Sequence, residues 1–252
     1  MWPVLFKLGP FVIYSYWVCI ALGYLAAYFV IERNARRYGI NDRIAGEAVL
    51  IAVVVGLSGA RLLHLITEYE EYRGDPWKIL KLWEGGLVFY GGLVTALLAI
   101  IWCLKREGVA VGTGLDAITP GLALGHGIGR IGCFLAGCCY GTPSQLPWAV
   151  TFRDAASLAP LRTPIHPAQL YESAGVFVIF LVLILLSKRP SLKGTLFWVY
   201  LMLYSVLRFF LEFVRGDTYP GKMSSLSLLQ EVSIVLFVLA VLIFLKVKKA
   251  WR

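Results

Sequence analysis

Residues 44–67 read IAGEAVLIAVVVGLSGARLLHLIT, and this stretch decides the fold. Apart from Glu47, Arg61 and His64 it is apolar or small, and it exceeds the roughly 20 residues a helix needs to cross about 30 Å of hydrocarbon. Backbone finds no water at that depth, so such a run is helical unless it belongs to a closed barrel. The ten-residue alternating strands of a barrel are absent. Working outward, comparable runs cover 11–31, 86–104, 115–137, 173–187, 194–214 and 228–246. The composition agrees, with 59% hydrophobic and 15% charged residues among 252 and a mean hydropathy of +0.74. A soluble domain of this length carries more charge and shorter apolar runs. The expectation is an all-α polytopic membrane protein with about seven transmembrane helices, forming a single integral-membrane domain over 1–252. The first run is longer than a signal-peptide core and lacks a small-residue cleavage site, so it reads as a retained span.

The net charge of +9 does not point to nucleic acid, because no soluble region remains to carry such a site. Most of the basic residues sit in short connectors: Arg33, Arg36, Arg37 and Arg43; Lys105 and Arg106; Lys188, Arg189 and Lys193; and Lys246, Lys248, Lys249 and Arg252 in the tail. The alternate loops, 68–85, 138–172 and 215–227, mix Lys and Arg with acidic residues. That bias puts the N-terminus outside and the C-terminus in the cytoplasm. The segment 138–172 is long for a bundle and becomes an outer-face loop able to carry function. Glu68–Glu84 suggests a short surface helix, with Trp77 and Trp83 at interfacial positions.

Three arginines fall inside spans: Arg61, Arg130 and Arg208. An intramembrane guanidinium is costly unless it is paired, solvated or turned to the bundle interior. With the orientation above, each lies some six or seven residues inside the outer end of its helix, roughly 9–10 Å deep at about 1.5 Å per residue. Such a trio repels itself unless an anion sits among the charges. Guanidinium forks suit phosphate, and a phospholipid headgroup is the anion available there. His126 and Arg130, Tyr204 and Arg208, and Arg208 and Glu212 are spaced to share helix faces. Glu212 reads either as part of this site or as an internal partner that neutralises Arg208. Tyr16 and Tyr90 also reach the outer half, where Tyr commonly serves as an anchor. The glycines of 125–132 let their helix approach neighbours or lipid closely; with no βαβ context they are not a dinucleotide signature. Cys19 and Cys103 lie in spans, and Cys133, Cys138 and Cys139 cluster without a CxxC pair, so no metal site is expected.

Gly129-Arg130-Ile131-Gly132-Cys133 through Cys138-Cys139-Tyr140-Gly141 resembles the glycine-arginine signature of the bacterial prolipoprotein diacylglyceryl transferases. Gly59-Ala60-Arg61, Trp83 through Tyr90-Gly91-Gly92, His166 through Glu172, and Tyr204 through Arg208 with Glu212, Arg215 and Asp217 are also similar, in the same order. The resemblance implies transfer of diacylglycerol from phosphatidylglycerol to the lipobox cysteine of a lipoprotein precursor, at the outer leaflet of a bacterial inner membrane. It needs no cofactor. It implies that Arg130 and Arg208 hold the lipid phosphate, that Tyr16 and Tyr204 line the cavity and that Gly141 shapes the motif loop. The precursor's signal peptide is the expected partner, and the chain is expected to act as a monomer.

The chain also departs from the family pattern. Tyr90 stands where a histidine is usual, Cys133 replaces an asparagine and Cys138 a glutamate. A phenol is a poor base at neutral pH, which leaves His126 as a substitute and His166 as either a further candidate or a structural hydrogen-bonding group. The cysteines read as apolar filler, as a Cys133–Cys138 disulfide, or as reactive thiols. Two alternatives therefore stand beside the transferase. One is a relative passing a lipid group to another acceptor or onto its own cysteines; the other is a non-catalytic phospholipid-binding membrane protein.

Overall fold

A computed structural model describes residues 1–9, 11–80, 86–217 and 226–250. Among these, seven α-helices account for most of the chain: α1 Ser15–Arg37, α2 Asp42–Thr67, α3 Phe89–Arg106, α4 Val111–Ala136, α5 Ala168–Leu186, α6 Leu196–Leu211 and α7 Leu228–Ala250. Five are long and apolar enough to cross a membrane: α1, α2, α5, α7, and α6 with the turn that continues it to Val214. The chain divides into two compact units, Met1–Ile31 with Leu115–Arg252, and Glu32–Gly114.

The first unit opens with an antiparallel hairpin, β1 Val4–Leu8 and β2 Phe11–Tyr14, rather than with helix. The expected start of the first span at residue 11 is thus corrected. Phe11–Tyr14 is a β-branched and aromatic run that pairs with Val4–Leu8, and α1 begins only at Ser15. The glycines of α4 explain how α1 reaches it. A Cβ on Gly125 would meet the Gly23 carbonyl at 3.1 Å, and one on Gly132 the Cys19 Cβ at 2.9 Å. Only hydrogen at these positions allows the two backbones so close. On another face of α4, Ser173 of α5 donates to the Gly127 carbonyl at 2.8 Å, and the Phe177 ring covers the same glycine. Asp116 is fully buried and accepts from the backbone N–H groups of Gly194 and Leu196, the latter at 2.8 Å, which caps the start of α6. The outer row of α7, from Ile234 to Leu245, is largely exposed, as expected for a face meant for lipid.

Between α4 and α5 the chain forms a small knot around Phe152, Ala159 and Ile165, with Phe134, Tyr140 and Val150 packed on them. It holds a second two-stranded sheet, β3 Val150–Thr151 and β4 Pro164–Ile165. The expected loop 138–172 is shorter by its last five residues, because α5 starts at Ala168 and not at 173. Gln169 and Glu172 make that first turn look like loop in sequence, yet both side chains are buried inward.

In the second unit α2 and α3 pack through glycine. Thr95 occupies the space a Cβ on Gly59 would need, and its hydroxyl donates to the Gly91 carbonyl at 2.8 Å. Glu47 near the start of α2 pairs with Arg43 at 2.8 Å and with Arg106 at the end of α3 at 3.2 Å, so the helices run antiparallel. The segment after α2 makes two short 3-10 turns, Tyr69–Glu71 and Pro76–Leu80, in place of one surface helix. Trp77 is exposed there, while Trp83 and the Trp83–Gly85 part of the motif lie outside the described residues.

Candidate active site

The chemistry gathers in the first unit, where α4, the chain just beyond it, the start of α5 and the end of α6 each contribute. Glu172 lies at the centre with a side chain only 2% exposed. Its Oε1 accepts from Tyr204 Oη at 2.8 Å and pairs with Arg130 Nη2 at 3.0 Å, while Oε2 faces Arg215 Nη1 at 4.0 Å. Arg130 Nε donates to His126 Nε2 at 3.3 Å. A guanidinium can only donate, so that nitrogen presents its lone pair, and the proton of a neutral ring sits on Nδ1, 2.9 Å from Tyr200 Oη. Tyr200 stacks on Tyr204, with ring centres 5.9 Å apart. His126 is therefore committed on both nitrogens.

One turn beyond Tyr204, Arg208 Nη2 pairs with Glu212 Oε2 at 2.8 Å, and Ser227 donates to Glu212 Oε1 at 2.9 Å. Arg215 lies 3.9 Å from Glu212 and pairs with Asp217 at 2.7 Å. Arg130, Glu172, Arg215, Glu212 and Arg208 thus form one unbroken chain of opposite charges. The carboxylates relieve the mutual repulsion that the sequence left to an external anion. Formally the charges balance, three guanidiniums against Glu172, Glu212 and Asp217, with Asp217 the exposed member at 32%. Arg208 Nη1 is buried and has no hydrogen-bond partner among the described residues. A buried N–H left unpaired is costly, so Arg208 has a donor to offer an incoming acceptor; Glu212 Oε2 and Asp217 Oδ1 likewise lack a hydrogen-bond partner among the described residues.

The chain after α4 is held tightly. Gly137 closes the helix with φ +84°, a conformation in which a side chain is strained. Gly141 lies between the Val214 carbonyl, 2.9 Å from where its Cβ would be, and the His166 backbone. The backbone of Thr142 donates to Val214 and that of Gly216 to Tyr140, both at 2.9 Å. His166 itself meets Tyr171 Oη at 3.4 Å, and Trp148 donates to the same hydroxyl at 2.6 Å, a structural arrangement. Cys133, Cys138 and Cys139 are all free, with sulfurs within 4.8 Å of one another. Hydrogen bonding from Cys133 and Cys138, with the guanidiniums of Arg130 and Arg215, holds the Cys139 thiol below the usual cysteine range. The same bonding, from Cys133 and then Cys139, pushes the Cys138 thiol up. Tyr16 on α1 lies within electrostatic reach of Cys133, Cys138 and Arg130.

Of the residues expected from sequence, this unit brings together Tyr16, His126, Arg130, Tyr204, Arg208, Glu212, Gly141, His166 and the cysteine trio. Arg61 and Tyr90 belong to the Glu32–Gly114 unit. There Arg61 donates to the carbonyls of Ile79 and Gly86, both at 3.1 Å, and of Lys78, with Tyr72 beneath its guanidinium. Tyr90, on the first turn of α3, is 51% exposed. Glu172 and Arg215 carried no assigned role in the sequence reading. A carboxylate inside a membrane helix is itself a signal, but it was hidden while residue 172 counted as loop.

Comparison with known proteins follows the same lines. The model of a family described as prolipoprotein diacylglyceryl transferase matches residues 3–246. The phosphatidylglycerol–prolipoprotein diacylglyceryl transferase of Clostridium tetani is 35% identical over 244 residues, covering 97% of each chain. A second such transferase of Clostridium perfringens is 34% identical over 232 residues, 92% of this chain and 90% of its own. The protein of the same name from Wolbachia pipientis is 36% identical over 253 residues, 96% of this chain and 94% of its own.

Proposed function

This chain belongs to the prolipoprotein diacylglyceryl transferase family, and on that premise we propose that it moves diacylglycerol from phosphatidylglycerol to the thiol of a lipobox cysteine in a lipoprotein precursor. The observation that carries the reading is Arg208, whose buried Nη1 lacks a partner among the described residues at the end of the arginine–carboxylate chain. Arg130 and Arg208 hold the lipid phosphate, Glu172 orients Arg130, and Tyr16 and Tyr204 line the cavity. The precursor's sulfur attacks the glycerol carbon that bears the phosphate. The C–S bond forms, the bond between that carbon and the phosphate oxygen breaks, and glycerol phosphate leaves with the electron pair, its charge met by guanidinium donors. Guanidiniums beside the arriving cysteine favour its thiolate, the thiol proton passing to solvent, which lessens the demand on a base where Tyr90 replaces histidine. His126, committed at both nitrogens, fixes Arg130. Arg61 is assigned to holding the carbonyls of Lys78, Ile79 and Gly86.

We read all seven helices as spans of one integral-membrane domain. The N-terminus is outside, the basic connectors are cytoplasmic, and the site opens to the outer leaflet of a bacterial inner membrane; the protein acts as a monomer. The cysteines do not carry the lipid in this reading, because a thioether sulfur is a poor leaving group from carbon. The test is purified protein in vesicles of labelled phosphatidylglycerol with a lipobox peptide. Labelled diacylglycerol on the peptide cysteine is expected, with the rate falling roughly 100-fold in Arg208→Lys. An unmodified peptide with lipid still bound would point instead to another acceptor or to a non-catalytic binder.

A further inference from the structure

Three sulfurs that the transfer chemistry does not use stand together beside the arginine chain. α4 delivers Cys133 on its last turn, and the left-handed Gly137 then turns the chain back so that Cys138 and Cys139 lie over it. Cys138 Sγ is 3.7 Å from the Cys133 carbonyl. The arrangement is built, not incidental. Gln169, itself buried, donates to the Cys138 carbonyl at 2.7 Å, and the Gly216 N–H fixes the Tyr140 carbonyl at 2.9 Å. Cys139 keeps φ +57°, a conformation rare for a residue with a side chain, and the surrounding bonds hold it there.

The sulfurs lie within 4.8 Å of one another and all three residues are half-buried. A metal bound to three thiolates at about 2.3 Å in a plane needs sulfurs about 4 Å apart, so the triangle has only to tighten slightly. No other His, Cys, Asp or Glu among the described residues completes a four-ligand set. Three thiolates without a fourth ligand suit a soft d10 ion in trigonal geometry. Coordination number narrows the class: a structural Zn(II) site takes four ligands, whereas three thiolates satisfy a monovalent thiophilic ion.

We infer that Cys133, Cys138 and Cys139 form a trigonal thiolate site for a monovalent thiophilic metal ion, of which Cu(I) is the representative. Loading forms three metal–sulfur bonds and releases up to three thiol protons to solvent, with no change of oxidation state. The spacing of one cysteine, four residues and then two cysteines has no CxxC pair, which is why sequence did not announce it. This inference does not rest on the transferase reading, and its test measures metal and thiols only.

The full chain, reduced and purified in detergent without air, is titrated with Cu(I) against a chromophoric Cu(I) chelator. One ion per chain is expected, with affinity at least 100-fold weaker in Cys133→Ser and in Cys138→Ser and unchanged in Cys19→Ser. Maleimide labelling of the wild type, read by peptide mass spectrometry, guards against variants that fail to fold. Cu(I) should shield Cys133, Cys138 and Cys139 and leave the labelling of Cys19 and Cys103 unaltered. No binding by the reduced wild type, equal binding by the cluster variants, absent shielding, or Zn(II) held more tightly than Cu(I) would each overturn the inference.

Discussion

Glu172 makes the arginine cluster possible. A carboxylate this buried survives only because Arg130 and Tyr204 bond it directly and Arg215 stands near. Removing its charge leaves Arg130 without its counter-ion, so Glu172→Gln is expected to lower unfolding stability in detergent by about 3 kcal/mol, as for a broken buried pair. Tyr204→Phe removes one hydrogen bond to the same oxygen and should cost about 1.5 kcal/mol. Denaturant titration of both variants checks the order; equal losses would mean that Glu172 acts as a mere hydrogen-bond acceptor. Gly141 is another residue whose identity is dictated. Its missing side chain admits the backbones of His166 and Val214, and Gly141→Ala should reduce transfer to the peptide at least tenfold while the protein still folds in detergent.

At the scale of elements, Asp116 illustrates how a buried polar residue can serve structure inside a mostly apolar helix. Its carboxylate takes the N–H groups of Gly194 and Leu196 at the entry to α6, the helix that carries Tyr204 and Arg208. In Asp116→Asn one of those N–H groups faces an amide donor, and stability should drop by about 1–2 kcal/mol, measured in the same denaturant titration. The helices were legible because long apolar runs admit little else in hydrocarbon. Their ends were less so, for definite reasons. Phe11–Tyr14 is as apolar as the helix it precedes, and only pairing with Val4–Leu8 makes it a strand. Ala168–Glu172 is polar, and only the inward turn of Gln169 and Glu172 makes it helix. The candidate cluster was legible in Arg130, Arg208, Tyr204 and His126 through helical spacing. Glu172 and Arg215 join it from stretches read as loop, and Arg61 is drawn off by backbone carbonyls that no spacing rule predicts.

For the whole molecule, the topology proposed from the basic connectors has the 188–193 loop on the cytoplasmic side of the membrane and the 138–167 segment on the outer side. Single cysteines placed at Lys188 and at Ser144 should react with an impermeant maleimide in intact cells only at 144; labelling at both, or only at 188, would reverse or break the topology. Beneath this lies the claim that the half-buried guanidinium of Arg130 on α4 and the buried one of Arg208 on α6 exist to hold a lipid phosphate. Lipid retention by native mass spectrometry tests it most directly, comparing phosphatidylglycerol with diacylglycerol, which has the same tails and no phosphate. The account predicts that the wild type keeps phosphatidylglycerol in clear preference and that Arg208→Gln loses that preference while remaining folded. A preference undiminished in Arg208→Gln and in Arg130→Gln would contradict it.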